Sequence, residues 1–145
     1  MVDVERNFTV NKPIGTVVEY LKDFAKAEAW DPGTVSCEPL DDGPVSVGSR
    51  WHNVSKIKGK ETELTYRLTR LEPGRLTFVG ENKTATSTDD LTFTPVEGGG
   101  TAITYHANIV FHGLAKLADP LMKHEFEKLG DSTVESMTDT LNSLA

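Results

Sequence analysis

The sequence predicts an α+β fold in which one antiparallel sheet of about seven strands packs against a long C-terminal helix. Three observations support this: helical spacing follows the first strand, six further strands are joined mostly by hairpin-like turns, and a long amphipathic segment ends the sequence. Consecutive hairpins place strands side by side, and an amphipathic helix buries its apolar stripe on an apolar sheet face. The 145 residues fit one domain, 1–145.

The first strand and the two short helices after it are predicted from a change in periodicity. Apolar and polar residues alternate over Val2–Val10, as in a half-buried strand. A helix is then predicted with Asn11 as its N-cap, Pro13 in its first turn and apolar residues at helical spacing as far as Phe24. A second short helix is predicted over Ala25–Ala29, before a Pro-Gly turn.

The middle of the chain alternates with period two between turns rich in Gly, Pro and Asp. The six strands predicted there are Val35–Leu40, Ser49–Ile57, Glu61–Leu71, Arg75–Gly80, Ala85–Val96 and Thr101–Phe111. From about Pro120 to Leu144 apolar residues recur at steps of three and four, which predicts one long helix. At about 1.5 Å per residue this helix is long enough to cross a whole sheet.

Composition excludes several classes of protein. The 37% hydrophobic content is too high for a disordered acidic chain, and a net charge of −7 repels phosphate, so no nucleic-acid partner is expected. No apolar run approaches the roughly 20 residues that cross a bilayer, and the first residues are acidic, so we expect no membrane insertion and a cytoplasmic location. The chain is expected to act as a monomer or a homodimer.

Metal and acid–base motifs are weak in this sequence. Cys37 is the only cysteine, and the helix motif that begins at His124 has a lysine where a zinc protease has its second histidine, so no metal and no cofactor are expected. His106 is predicted to face solvent, whereas His112, at a strand-to-helix junction, is kept as a minor candidate. The adjacent acids Asp89-Asp90 are predicted to be a solvated pair.

Seven short segments punctuate the chain: Phe8–Pro13, Val18–Phe24, Trp30–Gly33, Val47–Ser49, Glu63–Tyr66, Leu71–Pro73 and Gly99–Thr101. In type and order they resemble the START-related helix-grip superfamily and, within it, the bacterial polyketide cyclase/dehydrase and lipid-transport family. The resemblance covers essentially the whole chain. It implies a helix-grip fold, in which a curved antiparallel sheet wraps around the C-terminal helix and leaves a cavity between them.

Inner-face alternation selects the side chains that would line this implied cavity. The candidate ligand-binding residues are Trp51, Asn53, Ser55, Tyr66, Leu68, Phe78, Phe93, Tyr105, Ile109, Met122, Phe126 and Met137. The two methionines would provide an adaptable wall for an irregular ligand. A bulge in the strand Ser49–Ile57 would exchange its two faces and move its candidates outward.

The candidates for a catalytic role are Arg6, Tyr66 and Tyr105. Arg6 alternates with apolar residues, so its guanidinium either pairs with a carboxylate or ligand anion, or reaches solvent along its stem. Each tyrosine hydroxyl could orient a ligand carbonyl, or belong to an ordinary amphipathic core residue.

These observations favour a protein that binds or transports a small hydrophobic molecule of lipid, polyketide or isoprenoid type. The alternative is an enzyme of the polyketide aromatase/cyclase type, with Arg6, Asn53, Tyr66 and Tyr105 as polar groups. Against it, no carboxylate or histidine is predicted clearly on the inner face. A third hypothesis is a regulatory or toxin-like interaction module, in which ligand occupancy alters a partner surface around Gly113–Pro120.

Overall fold

A computed structural model describes residues 1–145. Its seven strands form one antiparallel sheet in the order β1-β7-β6-β5-β4-β3-β2. The strands are β1 (Val2–Val10), β2 (Thr34–Pro39), β3 (Arg50–Ile57), β4 (Lys60–Glu72), β5 (Arg75–Glu81), β6 (Ala85–Pro95) and β7 (Thr101–Phe111). The α-helices are α1 (Ile14–Leu21), α2 (Ala27–Trp30) and α3 (Asp119–Asn142), with 3-10 helices at Phe24–Lys26 and Gly113–Ala118. The predicted α+β fold is confirmed.

The start of α1 corrects one prediction. Pro13, and not Asn11, is the residue that precedes the first helical turn, with an extended backbone (φ −61°, ψ 150°). A residue before proline is pushed out of the helical region, so Lys12 cannot be the first helical residue and Asn11 cannot be the N-cap. The backbone N–H of Asn11 instead donates a hydrogen bond to Oδ1 of Asn142 at 2.9 Å, which joins the end of β1 to the end of α3.

The strand β3 has the facing that the alternation predicted. Its pairing with β4 runs without a shift from Arg50 to Ile57, so no bulge exchanges its faces. The two irregularities of this half of the sheet lie elsewhere, in β2 after Thr34 and in β4 after Leu68. Trp51 is therefore buried, whereas Arg50 faces solvent.

The helix α3 lies closest to β1, and a glycine permits the close approach. A Cβ atom at Gly130 would lie only 2.7 Å from Cγ1 of Val4. Arg6 of β1 adds two hydrogen bonds to α3 beside this contact: its Nε donates to Oδ1 of Asp131 at 2.8 Å, and its Nη2 donates to the carbonyl oxygen of Glu127 at 3.1 Å. The guanidinium thus pairs with a carboxylate of α3 and is not among the residues that line the cavity described below.

An aromatic cluster fills one half of the space between sheet and helices. The ring of Phe24 lies 4.4 Å from that of Tyr66 and 4.5 Å from that of Phe78, measured between centroids. Nε1 of Trp51 donates to Oδ1 of Asp23 at 3.1 Å, which satisfies the indole inside this cluster. The packed half closes one end of the fold and leaves the opposite half open. None of the helices has the length and apolar character needed to span a bilayer.

Candidate functional site

A cavity of about 560 Å³ occupies the half of the fold that the aromatic cluster leaves open. It lies between the inner face of the sheet and α3, and 14 of its 25 lining residues are hydrophobic. Its apolar walls include Val4, Leu64, Ala107, Ile109, Phe111, Met122, Phe126 and Leu129. Pockets of this size and character are typical of sites for small organic molecules.

Among the lining residues, Lys58 and Lys60 at the β3–β4 turn are exposed, and Ala115 and Ala118 come from the mostly exposed Gly113–Ala118 helix, which places the entrance between these two segments. Lys58 has a left-handed backbone (φ 53°) in this turn, and its Nζ lies 3.6 Å from Oε1 of Glu125 on α3. Beside the entrance, three leucines at helical spacing are largely exposed: Leu114 (87%), Leu117 (79%) and Leu121 (71%). Leu114 and Leu117 belong to the surface that the interaction-module hypothesis invokes, which stays a prediction.

The inner end of the cavity contains a buried carboxyl, that of Asp89. Ala85, near the entrance, and Asp89 both belong to β6, so Asp89 lies about 13 Å further along the strand. Its exposed fraction is 5%, and no protein hydrogen bond reaches its carboxyl. Beyond it, Leu91 and Phe93 belong to the packed core.

The predicted solvated pair is therefore wrong for Asp89, whereas Asp90 lies on the outer face as predicted but in an ion pair with Arg75. Asp90 points to the outer face, where its Oδ2 accepts from Nη2 of Arg75 at 2.7 Å and its Oδ1 accepts from the Thr77 hydroxyl at 3.0 Å. Adjacent residues of a strand point to opposite faces, so Asp89 must point inward. The expectation that the inner face carries no carboxylate is overturned as well.

Burial raises the pKa of Asp89 to about 8, and the nearby charge of Asp31 acts in the same direction. Asp31 follows α2 and also lines the cavity. Burial raises the pKa of Asp31 too, although hydrogen bonds from the backbone of Gly33 (2.9 Å) and the hydroxyl of Thr34 (3.0 Å) oppose this. Near neutral pH the carboxyl of Asp89 is mostly protonated, and it can donate a hydrogen bond or a proton.

Two tyrosines share this inner end. Burial, and next the charge of Asp89, raises the pKa of both Tyr66 and Tyr105 well above 10, so their hydroxyls remain protonated. Tyr66 reaches across the neighbouring strand because Gly80 has no side chain: a Cβ there would lie 2.6 Å from Cζ of the ring. Gly80 pairs with Ser87 of β6, so the phenol of Tyr66 extends toward the strand that carries Asp89.

The structure divides the twelve candidate ligand-binding residues into two equal groups. Those that line the cavity are Ser55, Tyr66, Tyr105, Ile109, Met122 and Phe126. Those that are buried outside its lining are Trp51, Asn53, Leu68, Phe78, Phe93 and Met137. Five of the second group lie on the inner face of the sheet and Met137 lies on α3, and all but Asn53 belong to the main hydrophobic core with Phe24 and Trp30 from the helical segment after β1. Sequence reasoning missed Asp31, which it assigned only to a turn, and Asp89.

The histidines and the cysteine lie outside the cavity. Nε2 of His112 lies 2.9 Å from the Thr86 hydroxyl at the surface, and Nε2 of His106 lies 2.7 Å from Oδ1 of Asp3 on the outer face, as predicted. Burial raises the pKa of the Cys37 thiol to about 12, so it is not a reactive thiolate. No group of three or more His, Cys, Asp or Glu side chains is arranged to hold a metal ion.

Comparison with known proteins agrees with this architecture. A family model described as polyketide cyclase / dehydrase and lipid transport matches residues 1–142. A search of curated proteins finds no match.

Several solved structures share the fold at low sequence identity. A START superfamily protein from Mycobacterium smegmatis is 11% identical, with a TM-score of 0.81 and 99% of both chains covered. The Zhui aromatase/cyclase from Streptomyces sp. R1128 is 15% identical, with a TM-score of 0.79 and coverage of 96% of this chain and 92% of that one. A STAR-related lipid transfer protein from Xanthomonas axonopodis is 12% identical, with a TM-score of 0.73 and coverage of 97% and 86%.

Proposed function

The chain belongs to the polyketide cyclase / dehydrase and lipid transport family, and on that premise we propose that it binds a small hydrophobic molecule in the cavity between the sheet and α3. One observation carries the proposal: the cavity of about 560 Å³ has a mainly apolar lining and a few convergent polar groups. A ligand of lipid, polyketide or isoprenoid type fits this description.

Apolar burial would provide most of the affinity. Each Å² of apolar ligand surface removed from water contributes about 25 cal/mol. Met122 and Phe126 on α3 face Ala107 and Ile109 on β7, so the ligand would lie between the helix and the sheet. The thioether of Met122 adapts to irregular shapes, which suits a wall that accepts flexible chains.

A matched pair of variants tests this proposal. Ala107→Phe places a ring inside the cavity, whereas Ala102→Phe places the same ring on the outer face of the same strand. We expect the uncharged dye Nile red to bind the unmodified protein, to lose at least tenfold in affinity with A107F, and to keep its affinity with A102F. Equal effects of the two variants, or no dye binding together with no co-purifying ligand in native mass spectrometry, would contradict the proposal.

A second candidate function is an enzyme of the aromatase/cyclase type, and the buried carboxyl favours it. Asp89 is a protonated acid near neutral pH, next to two neutral phenols. Such an acid can protonate a ligand carbonyl oxygen as negative charge develops there, while the cavity folds the chain into a reactive shape. A general acid of this kind typically contributes about 10²–10⁴-fold to a rate.

Turnover of a polyketide substrate tests the second candidate. We expect Asp89→Asn to reduce turnover at least a hundredfold relative to the unmodified protein. We expect the double variant Tyr66→Phe, Tyr105→Phe to show a larger reduction than Asp89→Asn. Undiminished turnover in these variants would remove the proposed roles. Asp90→Asn is the control, because its carboxylate lies on the outer face.

A further inference from the structure

We propose that the inner end of the cavity recognises a protonated amine on an otherwise apolar ligand, with the carboxyls of Asp89 and Asp31 as its acidic partners. This inference rests on the proposed function, because it names the chemical class that the same cavity binds.

The charges that face the cavity are sorted by depth. Asp89 is buried and Asp31, whose charge acts on it, is half-buried, whereas Lys58 and Lys60, on either side of Gly59 at the β3–β4 connection, are exposed. Neither an arginine nor a histidine is among the lining residues. An anionic ligand group near Asp89 and Asp31 would find no arginine or histidine to pair with, and any ionised carboxyl there would repel it in an apolar environment. A cationic group at the same place would be attracted.

The carboxyl of Asp89 has no hydrogen-bond partner within the protein. It is more than nine-tenths buried and lines the cavity. Buried carboxylates are normally paired, because an isolated one is costly. Asp31 differs, since Gly33 and Thr34 already donate to its two oxygens. An ammonium group entering the cavity would supply the donors that Asp89 lacks.

The other groups around Asp89 suit an ammonium as well. The side chains that face it from neighbouring elements are Asp31, Tyr66 and Tyr105, which are acidic or neutral, and the uncharged Thr133 of α3 lines the same cavity. An ammonium has three donors, and phenol oxygens can accept from it. The faces of aromatic rings also attract cations.

Binding of an amine would be coupled to release of a proton. Without ligand, Asp89 is mostly protonated near neutral pH because burial disfavours its charged form. A bound ammonium favours the carboxylate, so the proton leaves to solvent and the amine keeps its own. A neutral alcohol in the same place would leave the acid protonated and release nothing.

Three probes with the same aromatic ring test the inference on the full chain: 1-naphthylmethylamine, 1-naphthylmethanol and 1-naphthoic acid. Calorimetry at pH 7 in two buffers of different ionisation enthalpy gives affinity and proton release together. We expect the amine to bind at least tenfold more tightly than the alcohol or the acid and to release close to one proton. Asp89→Asn should weaken the amine at least tenfold and the alcohol less than twofold, and Asp90→Asn should change neither.

The outcomes separate this inference from the function on which it rests. If Nile red binds but the acid probe binds as tightly as the amine, or if D89N weakens amine and alcohol equally, the amine assignment is wrong and hydrophobic binding stands. If neither Nile red nor any probe binds, both proposals fail. The order among the three probes needs no variant, so poor folding of D89N would leave the test decisive.

Discussion

Replacing Asp89 with asparagine should change how the stability of the protein depends on pH. Burial raises the pKa of Asp89 from 3.8 to about 8 in the folded protein. The protonated carboxyl therefore stabilises the folded state relative to the unfolded chain. This contribution is fully present below pH 3.8 and is lost progressively as the pH rises to about 8. Asparagine cannot ionise, so the variant lacks this loss.

The size of the effect follows from the same two pKa values. Each pH unit between them changes the free energy of unfolding by about 1.4 kcal/mol, which gives an upper limit of roughly 6 kcal/mol over the whole range. Between pH 5 and pH 7, unfolding of the wild-type protein should become easier by about 3 kcal/mol relative to the variant. Water that enters the cavity reduces this figure.

Urea denaturation at pH 5 and pH 7 measures the difference directly. Comparing the two proteins cancels every other titrating group that they share. Asp90→Asn is the control: Arg75 holds the pKa of Asp90 below its ordinary value, so that carboxylate stabilises the fold above the ordinary pKa and loses its effect only in more acidic solution. Parallel pH profiles for wild type and D89N would show that Asp89 ionises normally and would refute the reasoning.

Three further predictions concern packing and the thiol. Gly80→Ala should destabilise the protein by about 1–3 kcal/mol in urea denaturation, because the new methyl group meets the ring of Tyr66. Its control is Gly15→Ala on the open surface of α1, which should stabilise the protein by about 0.5–1 kcal/mol. Gly130→Ala should also cost about 1–3 kcal/mol, since it pushes α3 away from a valine of β1, and a neutral result would contradict that close approach. Cys37, with its pKa raised to about 12, should react with iodoacetamide at pH 8 at least a hundredfold more slowly in the folded protein than in urea.

Much of the sheet could be predicted because one face of each strand is buried. Val2–Val10 and Thr101–Phe111 end in the structure where the sequence pattern ends. A shift of one residue would move every apolar side chain of such a strand to solvent, so the pattern specifies the register strongly. The helix start was less predictable, since Asn11 and Pro13 both carry N-terminal signals and the steric effect of the proline decides between them.

The boundary between cavity and core could not be read from alternation. Tyr66 and Phe78 both point inward, yet only Tyr66 lines the cavity. Phe24, from the segment after α1, packs against both rings, but the phenol of Tyr66 extends past it over Gly80 into the cavity, whereas Phe78 stays in the core. That placement depends on contacts between distant parts of the chain, and periodicity within a strand carries no information about it.

The inward direction of the Asp89 side chain could be predicted from the alternation of β6, although Asp89 was not recognised as a site residue. Phe93 lies four residues further along the same strand and was assigned to the inner face, so the same alternation assigns Asp89 to that face. The general preference of aspartate for solvent outweighed the local pattern. In a strand with one buried face, an acid that shares the parity of the core residues is better treated as a candidate site residue.

The two functions considered for Asp89 require opposite protonation states, so the pH dependence of binding can decide between them. An ammonium ligand pairs with the carboxylate, and its affinity should rise about tenfold per pH unit up to the pKa of about 8, as long as the amine stays protonated. A carbonyl ligand accepts a hydrogen bond from the acid, so its affinity should be constant below that pKa and fall above it. Hydrophobic contacts contribute equally at every pH and cannot imitate either slope. An affinity that rises from pH 6 to pH 8 therefore supports the amine, and a flat profile that falls above pH 8 supports carbonyl chemistry.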